Sequence, residues 1–550
     1  MVKMRRLVNV KNQTVIQSAI LVAIPVVFIG ISLFFRYQRG PYWLFSNSDP
    51  EYAYLLNSLN VIQSNPLGHT EHPGTLLHLS GAFIITAAYF FQKIADLVDS
   101  TIIEAVLREP ELYLQIINST ILILTGVSIF LVGRSVLILS KSLFLALIIQ
   151  IPCFLATALA SAYRVSPEPL LFLISQALAI ILLFYIYEPA FERSNKFPIL
   201  LGIIFGLGVA SKYTFLPTLL FILLVPTIKQ KLITIGVSIV TFVISTSPII
   251  AQYPKTFSWI YGAIVNKGYY GSTGEPGFVD LVTAQTNFQF LLNQDKIFFG
   301  LLFISLFVFI LLGFLIKIWN LNSFVIDETN FSIVRKSYIL LAFFLLISFV
   351  QIVPILKQPS VHYLVSLVSL SGLIVSIQIN LIQNIIKKFF SGFKLKIFPA
   401  LCLILCVAIA VLSTKTHSDA LLNQYNLYQQ ELGDLQSLVN HRYRECAQIS
   451  YYRSSSQEYA LKFGDFFALG SFSHPLQKLY PNSYFYNIWS RQYESFNQPI
   501  DIKTFLNTQC AILRGTPLSL PQYEPYIPTL NLETVFESSS EAVYRIISAE

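Results

Sequence analysis

Apolar residues in this chain gather into long unbroken runs separated by short polar loops. The runs fall at about 15–35, 75–95, 112–133, 142–162, 169–187, 198–211, 214–228, 232–252, 297–317, 337–356, 361–382 and 397–413. Most approach the roughly 20 residues that a helix needs to cross the ~30 Å apolar layer of a bilayer. Backbone groups in lipid must be paired internally, and a β-barrel would show alternating strands instead of solid runs. The pattern predicts a mainly α, polytopic transmembrane bundle of about 11–13 crossings.

After Ser413 the pattern changes. Asp419–Leu438 predicts a helix, Ala447–Tyr452 and Cys510–Leu513 predict short strands, and Ser455–Phe467 predicts another helix. Residues 414–550 therefore read as a small soluble α/β domain behind a membrane module over residues 1–413. Inside that module, residues 36–74 form a first external loop and residues 253–296 a second, long enough to cover a site.

Composition supports the membrane class. A chain with 54% hydrophobic and 12% charged residues is not a soluble globular protein. The net charge of +8 is no signal for nucleic acid, because the basic residues sit in short loops, where membrane orientation places them. Lys3, Arg5, Arg6 and Lys11 precede the run Val15–Phe35. That run is too long for a signal peptide, and Phe34-Phe35-Arg36-Tyr37 offers no cleavage site. It predicts an uncleaved first helix with a cytoplasmic N-terminus in the plasma (inner) membrane.

The basic stretches Arg134–Lys141, Arg193–Lys196, Lys229–Lys231, Lys317–Lys336 and Lys387–Lys396 are expected inside. Arg164–Glu168, loop 253–296, Lys357–His362 and the C-terminal domain are then expected outside. Twelve plain crossings would instead leave the tail inside. The simplest repair is that 75–95 or a neighbour does not cross as a plain helix; an additional crossing also restores parity. Cys153, Cys402 and Cys406 read as packing residues. Cys446 and Cys510 are too few and too far apart for zinc, and are free to pair if the tail lies outside the cytoplasm.

Candidate chemistry concentrates between Ser46 and His78. Tyr52, Leu55, Leu56, Leu59 and Ile62 share one helical face, with Asn57, Ser58, Asn60 and Gln63 opposite. This predicts a helix in the interface plane, its apolar side in lipid or against the bundle. Ser48-Asp49-Pro50-Glu51 fits a capping box, so Asp49 serves either a helix start or chemistry. His69-Thr70-Glu71-His72 packs three ionisable groups into four positions at the membrane surface, where charge is costly without a purpose. The alternative there is a polar loop leading into a Pro-Gly turn. Tyr163–Pro169 offers Arg164 and Glu168. Lys212 lies between two short apolar runs beside Gly206, Gly208 and Ser211, either lining a cavity or snorkelling. Lys357 and His362 precede an apolar helix. Trp259, Tyr269 and Tyr270 are able to stack on sugars or to anchor in the interface.

In this order the motifs resemble the GT-C glycosyltransferases, nearest the branch of protein O-mannosyltransferases and the lipid A aminoarabinose transferase. The resemblance rests on Ser48-Asp49-Pro50-Glu51, His72-Pro73-Gly74-Thr75-Leu76-Leu77, Ser166-Pro167-Glu168, Gly206–Tyr213 and His362-Tyr363-Leu364, over about residues 15–380. Gly74 stands where the family carries a second proline, which leaves the subfamily open. The resemblance implies a GT-C fold and transfer of a hexosyl or pentosyl group from a polyprenyl-phosphate donor to a glycan, lipid or protein acceptor at the outer face. It implies Asp49 as catalytic base with Glu71 assisting, and His72, Arg164, Lys212 and His362 on the donor phosphate. Glu51, His69, Tyr269 and Tyr270 are the expected substrate contacts. No cofactor is required by the branch; Asp49 with Glu168 is the pair a divalent cation would use. The competing class is a flippase for a lipid-linked sugar, which predicts repeated halves and charges at midplane helix breaks.

Overall fold

The computed structural model describes residues 2–45, 48–71, 73–268, 274–318, 328–389, 397–488, 490–496, 498–507, 509–518 and 530–549. Contacts divide the chain into two compact units, one of residues 1–34, 71–76 and 120–418, the other of residues 35–70, 77–119 and 419–550.

The protein is mostly helical and integral to a membrane. Among the described residues nine helices are long and apolar enough to cross, and a pair bent by 66°, Leu143–Phe154 with Ala156–Ala162, makes a tenth if it forms one span. Two shorter apolar helices, Lys196–Ser211 and Tyr213–Leu224, complete the pattern. Each predicted run has its counterpart. Thr75–Ile94, the segment under suspicion, is a continuous helix with the lowest mean hydropathy of the nine, 1.3. The last run differs more. It does not end near 413, because Ile397–Arg442 is one helix of 46 residues, which absorbs the separate helix expected at Asp419–Leu438. At 1.5 Å per residue it is about 70 Å long, twice the apolar thickness of a bilayer.

In the first unit, helix Pro167–Tyr187 packs against Val365–Phe389 through polar groups that satisfy one another. Gln176 Nε2 donates to Ser369 Oγ at 3.0 Å, and Ser369 Oγ donates to the Phe172 carbonyl at 3.0 Å. Lipid offers little drive for helix association, so close packing and interhelical hydrogen bonds carry it. Gly202-x-x-x-Gly206 supplies the close packing. A Cβ at Gly202 would lie 2.7 Å from the Thr234 carbonyl, and one at Gly206 would lie 2.6 Å from the Ser238 carbonyl. Both contacts advance by four residues, so Lys196–Ser211 and Ile228–Ser245 run parallel, and Tyr213–Leu224 must return between them.

Loops grouped together by charge meet in the structure. Lys336 reaches Glu192 at 2.5 Å, and Gln230 Nε2 reaches the Arg193 carbonyl at 3.4 Å, so three predicted inner ends meet. At the other end, Lys357 donates to the carbonyls of Ala263 and Ile264 at 2.9 and 3.0 Å and also to that of Asn266. Asn287 Nδ2 binds the Leu356 carbonyl at 2.7 Å. The long loop is thereby tied beside Lys357–His362. Lys357 is spent on the last carbonyls of helix Tyr253–Val265, a C-terminal cap.

The second unit contains a seven-stranded sheet, ordered β4-β3-β2-β1-β5-β7-β6. The strands are β1 Ala447–Ser450, β2 Tyr484–Asn487, β3 Gln492–Ser495, β4 Gln498–Pro499, β5 Ala511–Gly515, β6 Leu530–Glu537 and β7 Ala542–Ala549. The two predicted strands are the central parallel pair β1 and β5, with Ala447 opposite Ala511. Ile449, Leu513, Tyr544 and Ile546 fill one face, while Ile512 and Val543 pack with Leu435 and Val439 on the other. This is the period-two alternation of a sheet buried on both sides. Cys446 and Cys510 form a disulfide just before these strands, across 64 residues of sequence. The predicted second helix is Gln457–Phe467, capped by the Ser456 side chain, which accepts from Tyr459 N.

The largest correction concerns helix Ser48–Gln63. Its polar side does not face water or headgroups, because Asn57, Ser58 and Asn60 are as buried as Leu55 and Leu59. Asn57 Nδ2 donates to the Phe467 carbonyl at 3.0 Å while its Oδ1 accepts from Gly68 N at 2.9 Å. Asn60 Nδ2 donates to the carbonyls of Ala468 and Pro66 at 3.1 Å. Carboxamides can pair buried backbone groups that an apolar residue would strand. The amphipathic pattern therefore marks a helix buried all round, not one lying in lipid.

Two outcomes follow for stability. Gly206→Val is expected to force apart two helices and lower stability by about 1–3 kcal/mol, read as a lower melting temperature of the purified protein in detergent. Cys446→Ser with Cys510→Ser is expected to cost about 4 kcal/mol from loop closure, read by limited proteolysis of the C-terminal domain with and without reductant.

Candidate functional site

The first unit places Glu168, Lys212 and His362 together. Each stands where a helix starts or breaks. Glu168 lies in the first turn of Pro167–Tyr187, behind Ser166, which is extended. Pro167 and Pro169 suit that turn, since the first amides of a helix have no intrahelical partner to lose. Lys212 ends Lys196–Ser211 in an extended conformation, φ −163° and ψ 138°, before the tighter 3₁₀ helix Tyr213–Leu224. His362 sits in the 3₁₀ turn Val361–Leu364 ahead of Val365–Phe389.

Lys212 Nζ donates to Glu168 Oε1 and lies 4.9 Å from the centre of the Tyr363 ring. His362 Nε2 is 4.0 Å from the same carboxylate oxygen, and its Nδ1 is 2.5 Å from Ser360 Oγ. Arg164 lies in the bend just before Pro167–Tyr187. Helix Lys196–Ser211 rises about 24 Å from its basic end, less than the ~30 Å layer, so Lys212 stops short of the opposite surface. An unpaired ammonium there would be costly, and Glu168 removes that cost. Lys212 and Glu168 are only 6% and 5% exposed at the side chain, whereas His362 keeps 45%.

An ammonium carries three donors, so Lys212 can bond a second acceptor beside Glu168. The cluster fits a divalent cation poorly. The near oxygen of Glu168 is already held by an ammonium, and among the described residues no three His, Cys, Asp or Glu side chains are grouped for a metal. The pairing partner proposed for Glu168, Asp49, falls in the other unit.

The remaining predicted residues divide as follows. Asp49 is exposed with an extended backbone, φ −105° and ψ 117°, directly before Pro50, so the N-cap position falls on Asp49 itself; the Ser48 side chain lies outside the described residues. Glu51 is fully buried. His69 is a core residue, with Tyr54 at 4.8 Å, Phe467 at 5.2 Å and His78 at 6.2 Å between ring centres. Glu71 Oε2 is buried and has no hydrogen-bond partner among the described residues. His72, Tyr269 and Tyr270 lie outside the described residues.

Two known structures share the chain's outline. Both are crystal structures of ArnT from Cupriavidus metallidurans, each 10% identical in sequence. One, bound to undecaprenyl phosphate, matches over 96% of this chain and 97% of its own with a TM-score of 0.46. The other, in the apo state, matches over 94% and 97% with a TM-score of 0.48. At these scores no residue role or activity is carried over from either. No protein-family model and no curated protein matches the sequence.

Ser360 and Gln351 are neighbours of the cluster that motif reasoning missed, while Tyr363 entered only as part of His362-Tyr363-Leu364. Gln351 Nε2 donates to the Tyr363 carbonyl at 2.5 Å and so holds the turn that carries His362. Their only signal in sequence is nearness to His362. Asp295 was also missed. It accepts from Thr157 Oγ1 at 2.7 Å and Phe298 N at 3.1 Å, a helix start rather than a site. Burial raises its carboxyl above the usual range, against those bonds.

Removing one member of the buried pair strands the other charge. Lys212→Met and Glu168→Gln are each expected to cost about 3–5 kcal/mol. The double variant is expected to recover most of that loss, read as a double-mutant cycle of melting temperatures in detergent.

Proposed function

We propose that the chain transfers a sugar from a polyprenyl-phosphate-linked donor to a glycan, lipid or protein acceptor at the outer face of the membrane. The observation that carries this reading is the Glu168–Lys212–His362 cluster, at helix breaks within an apolar bundle. A donor with an isoprenoid tail can reach such a cluster from lipid, and its leaving group is a phosphate that needs cations. The order of motifs that resembles the GT-C glycosyltransferases supports the same reading, as do a GT-C fold and the hexosyl- or pentosyltransferase activity which that resemblance implies.

In the proposed step the bond from the sugar's anomeric carbon to the phosphate oxygen breaks, and a bond to the acceptor oxygen or nitrogen forms. The acceptor's proton passes to a carboxylate, for which motif order nominates Asp49, with Glu71 assisting. Polyprenyl phosphate departs with the bonding pair, its growing charge met by Lys212, with Arg164 and His362 near and His72 nominated by sequence. Glu51 and His69, being buried in their own unit, serve substrate through the shape of the loop in this proposal rather than by contact. Tyr269 and Tyr270 keep their nomination as sugar contacts. No resident metal is needed for this step.

Orientation belongs to the same proposal. A Cys446–Cys510 disulfide suits an oxidising compartment, which supports an extracytoplasmic C-terminal domain and a cytoplasmic N-terminus in the plasma (inner) membrane. The second reading is a flippase that moves a lipid-linked sugar without covalent transfer, favoured by the ionisable group at a helix break.

Membranes containing the full-length protein and a labelled polyprenyl-phosphate sugar separate the two. Asp49→Asn and Lys212→Arg are each expected to lower covalent transfer by about 10²–10³-fold with unchanged protein levels. Full transfer by Asp49→Asn removes that residue from the mechanism. Movement of the donor between leaflets with no covalent product replaces transferase by flippase.

A further inference from the structure

Helix Tyr253–Val265 has no part in the transfer step and is built unlike a water-facing helix. Lys255 is its one charged residue. With 13 residues it rises about 20 Å, too little to cross the ~30 Å apolar layer. Both of its ends are fixed at the ends of spans. The Tyr253 hydroxyl, in its first turn, lies 2.5 Å from Oγ1 of Thr246, the residue that closes the span Ile228–Ser245. Lys357, two residues past the span Phe331–Ile355, holds the carbonyls of Ala263 and Ile264 at its other end. A rod too short to cross, and tied at both ends to the ends of spans, lies along the membrane surface.

Its faces differ in what they touch. Thr256 is buried, and the Trp259 ring meets that of Tyr213 edge-on at 6.0 Å, next in the chain to Lys212. Trp259 is therefore turned toward protein. Phe257, Tyr261 and Ile264, four and three residues apart, share another face and are 51%, 66% and 52% exposed. Water would meet that stripe at a cost in hydrophobic energy. The exposure is continuous with surface that lipid already covers, since Ile239, Val240 and Ile244 on the preceding span and Ile250 in the connection are exposed as well. A tyrosine among apolar residues suits the level of the headgroups, where its ring is buried and its hydroxyl stays wet.

We propose that helix Tyr253–Val265 lies in the boundary between headgroups and acyl chains of the adjoining leaflet, with Phe257, Tyr261 and Ile264 inserted among the lipids. The occupant is lipid because the two spans that fix the helix meet lipid up to the same level. The stripe also carries no charge with which to select a protein partner. Its other face stays on Tyr213. The contact does not depend on whether the chain is a transferase or a flippase.

The test uses the full-length protein in lipid nanodiscs. Cys153→Ala, Cys402→Ala and Cys406→Ala remove the free thiols, and a nitroxide is attached at Phe257→Cys, Tyr261→Cys or Ile264→Cys. Power saturation by oxygen, which concentrates in lipid, and by nickel–EDDA, which stays in water, reads the depth of each label. All three labels are expected to favour oxygen and to lie about 5–10 Å into the boundary layer. The three positions are half or more exposed, so the labelled proteins should keep the melting temperature of their unlabelled parent. The unmodified protein gives an independent reading: a lipid-soluble diazirine activated by light is expected to tag Tyr261, read by peptide mass spectrometry. Labels that favour nickel–EDDA overturn the proposal, as does a Tyr261 left untagged while the spans are tagged. Labels shielded from both reagents also overturn it, in favour of a protein partner or a second copy of the chain.

Discussion

Lys212 is a charged group that the apolar layer cannot accommodate alone, and much of the first unit is arranged to resolve that. Helix Lys196–Ser211 is too short to carry it to the far surface. The chain therefore breaks into an extended residue at Lys212, and the first turn of Pro167–Tyr187 brings Glu168 to it. Gly202 and Gly206 let the short helix lie hard against Ile228–Ser245, which sets the position of its end. The turn carrying His362 and Tyr363 completes the enclosure, and Gln351 holds that turn. Neutralising the lysine leaves a buried, hydrogen-bonded ion pair at the helix break.

The second unit meets a different constraint, the pairing of buried backbone groups. Asn57 and Asn60 satisfy carbonyls and amides of the loops at 66–68 and 467–468, so helix Ser48–Gln63 is packed on every side. Glu111 does similar work for the loop before it, accepting from Tyr42 N and Tyr52 O–H at 2.8 Å. Burial pushes the Tyr52 hydroxyl well above its usual range, so it remains a donor at every physiological pH. These carboxamides and the carboxylate shape the loop that ends at Thr70. Asp49, at the helix start, is exposed.

Bilayer thickness made the helical segments legible in sequence, because a run of apolar residues long enough to cross needs no tertiary partner to be recognised. The basic loops made their grouping legible as well, and Lys336 with Glu192 and Gln230 with Arg193 meet as that grouping required. Strands β1 and β5 were readable as apolar runs. β2, β3, β4, β6 and β7 were not, since short strands gain their stability from neighbours distant in sequence.

Among the site residues, sequence could nominate Glu168, Lys212 and His362 individually, because charge in an apolar context is costly wherever it occurs. That the three meet, 44 and 150 residues from Lys212 along the chain, was decided by helix packing. The same limit explains the misplaced polar face of Ser48–Gln63. Periodicity reports that asparagines share a face, but whether that face meets water or a buried backbone depends on what the rest of the chain brings to it. Composition and period determined that this is a helical membrane protein with a soluble tail. Which charges neutralise one another, and which polar groups are buried, was settled only by tertiary structure, because those energies arise between residues far apart in sequence.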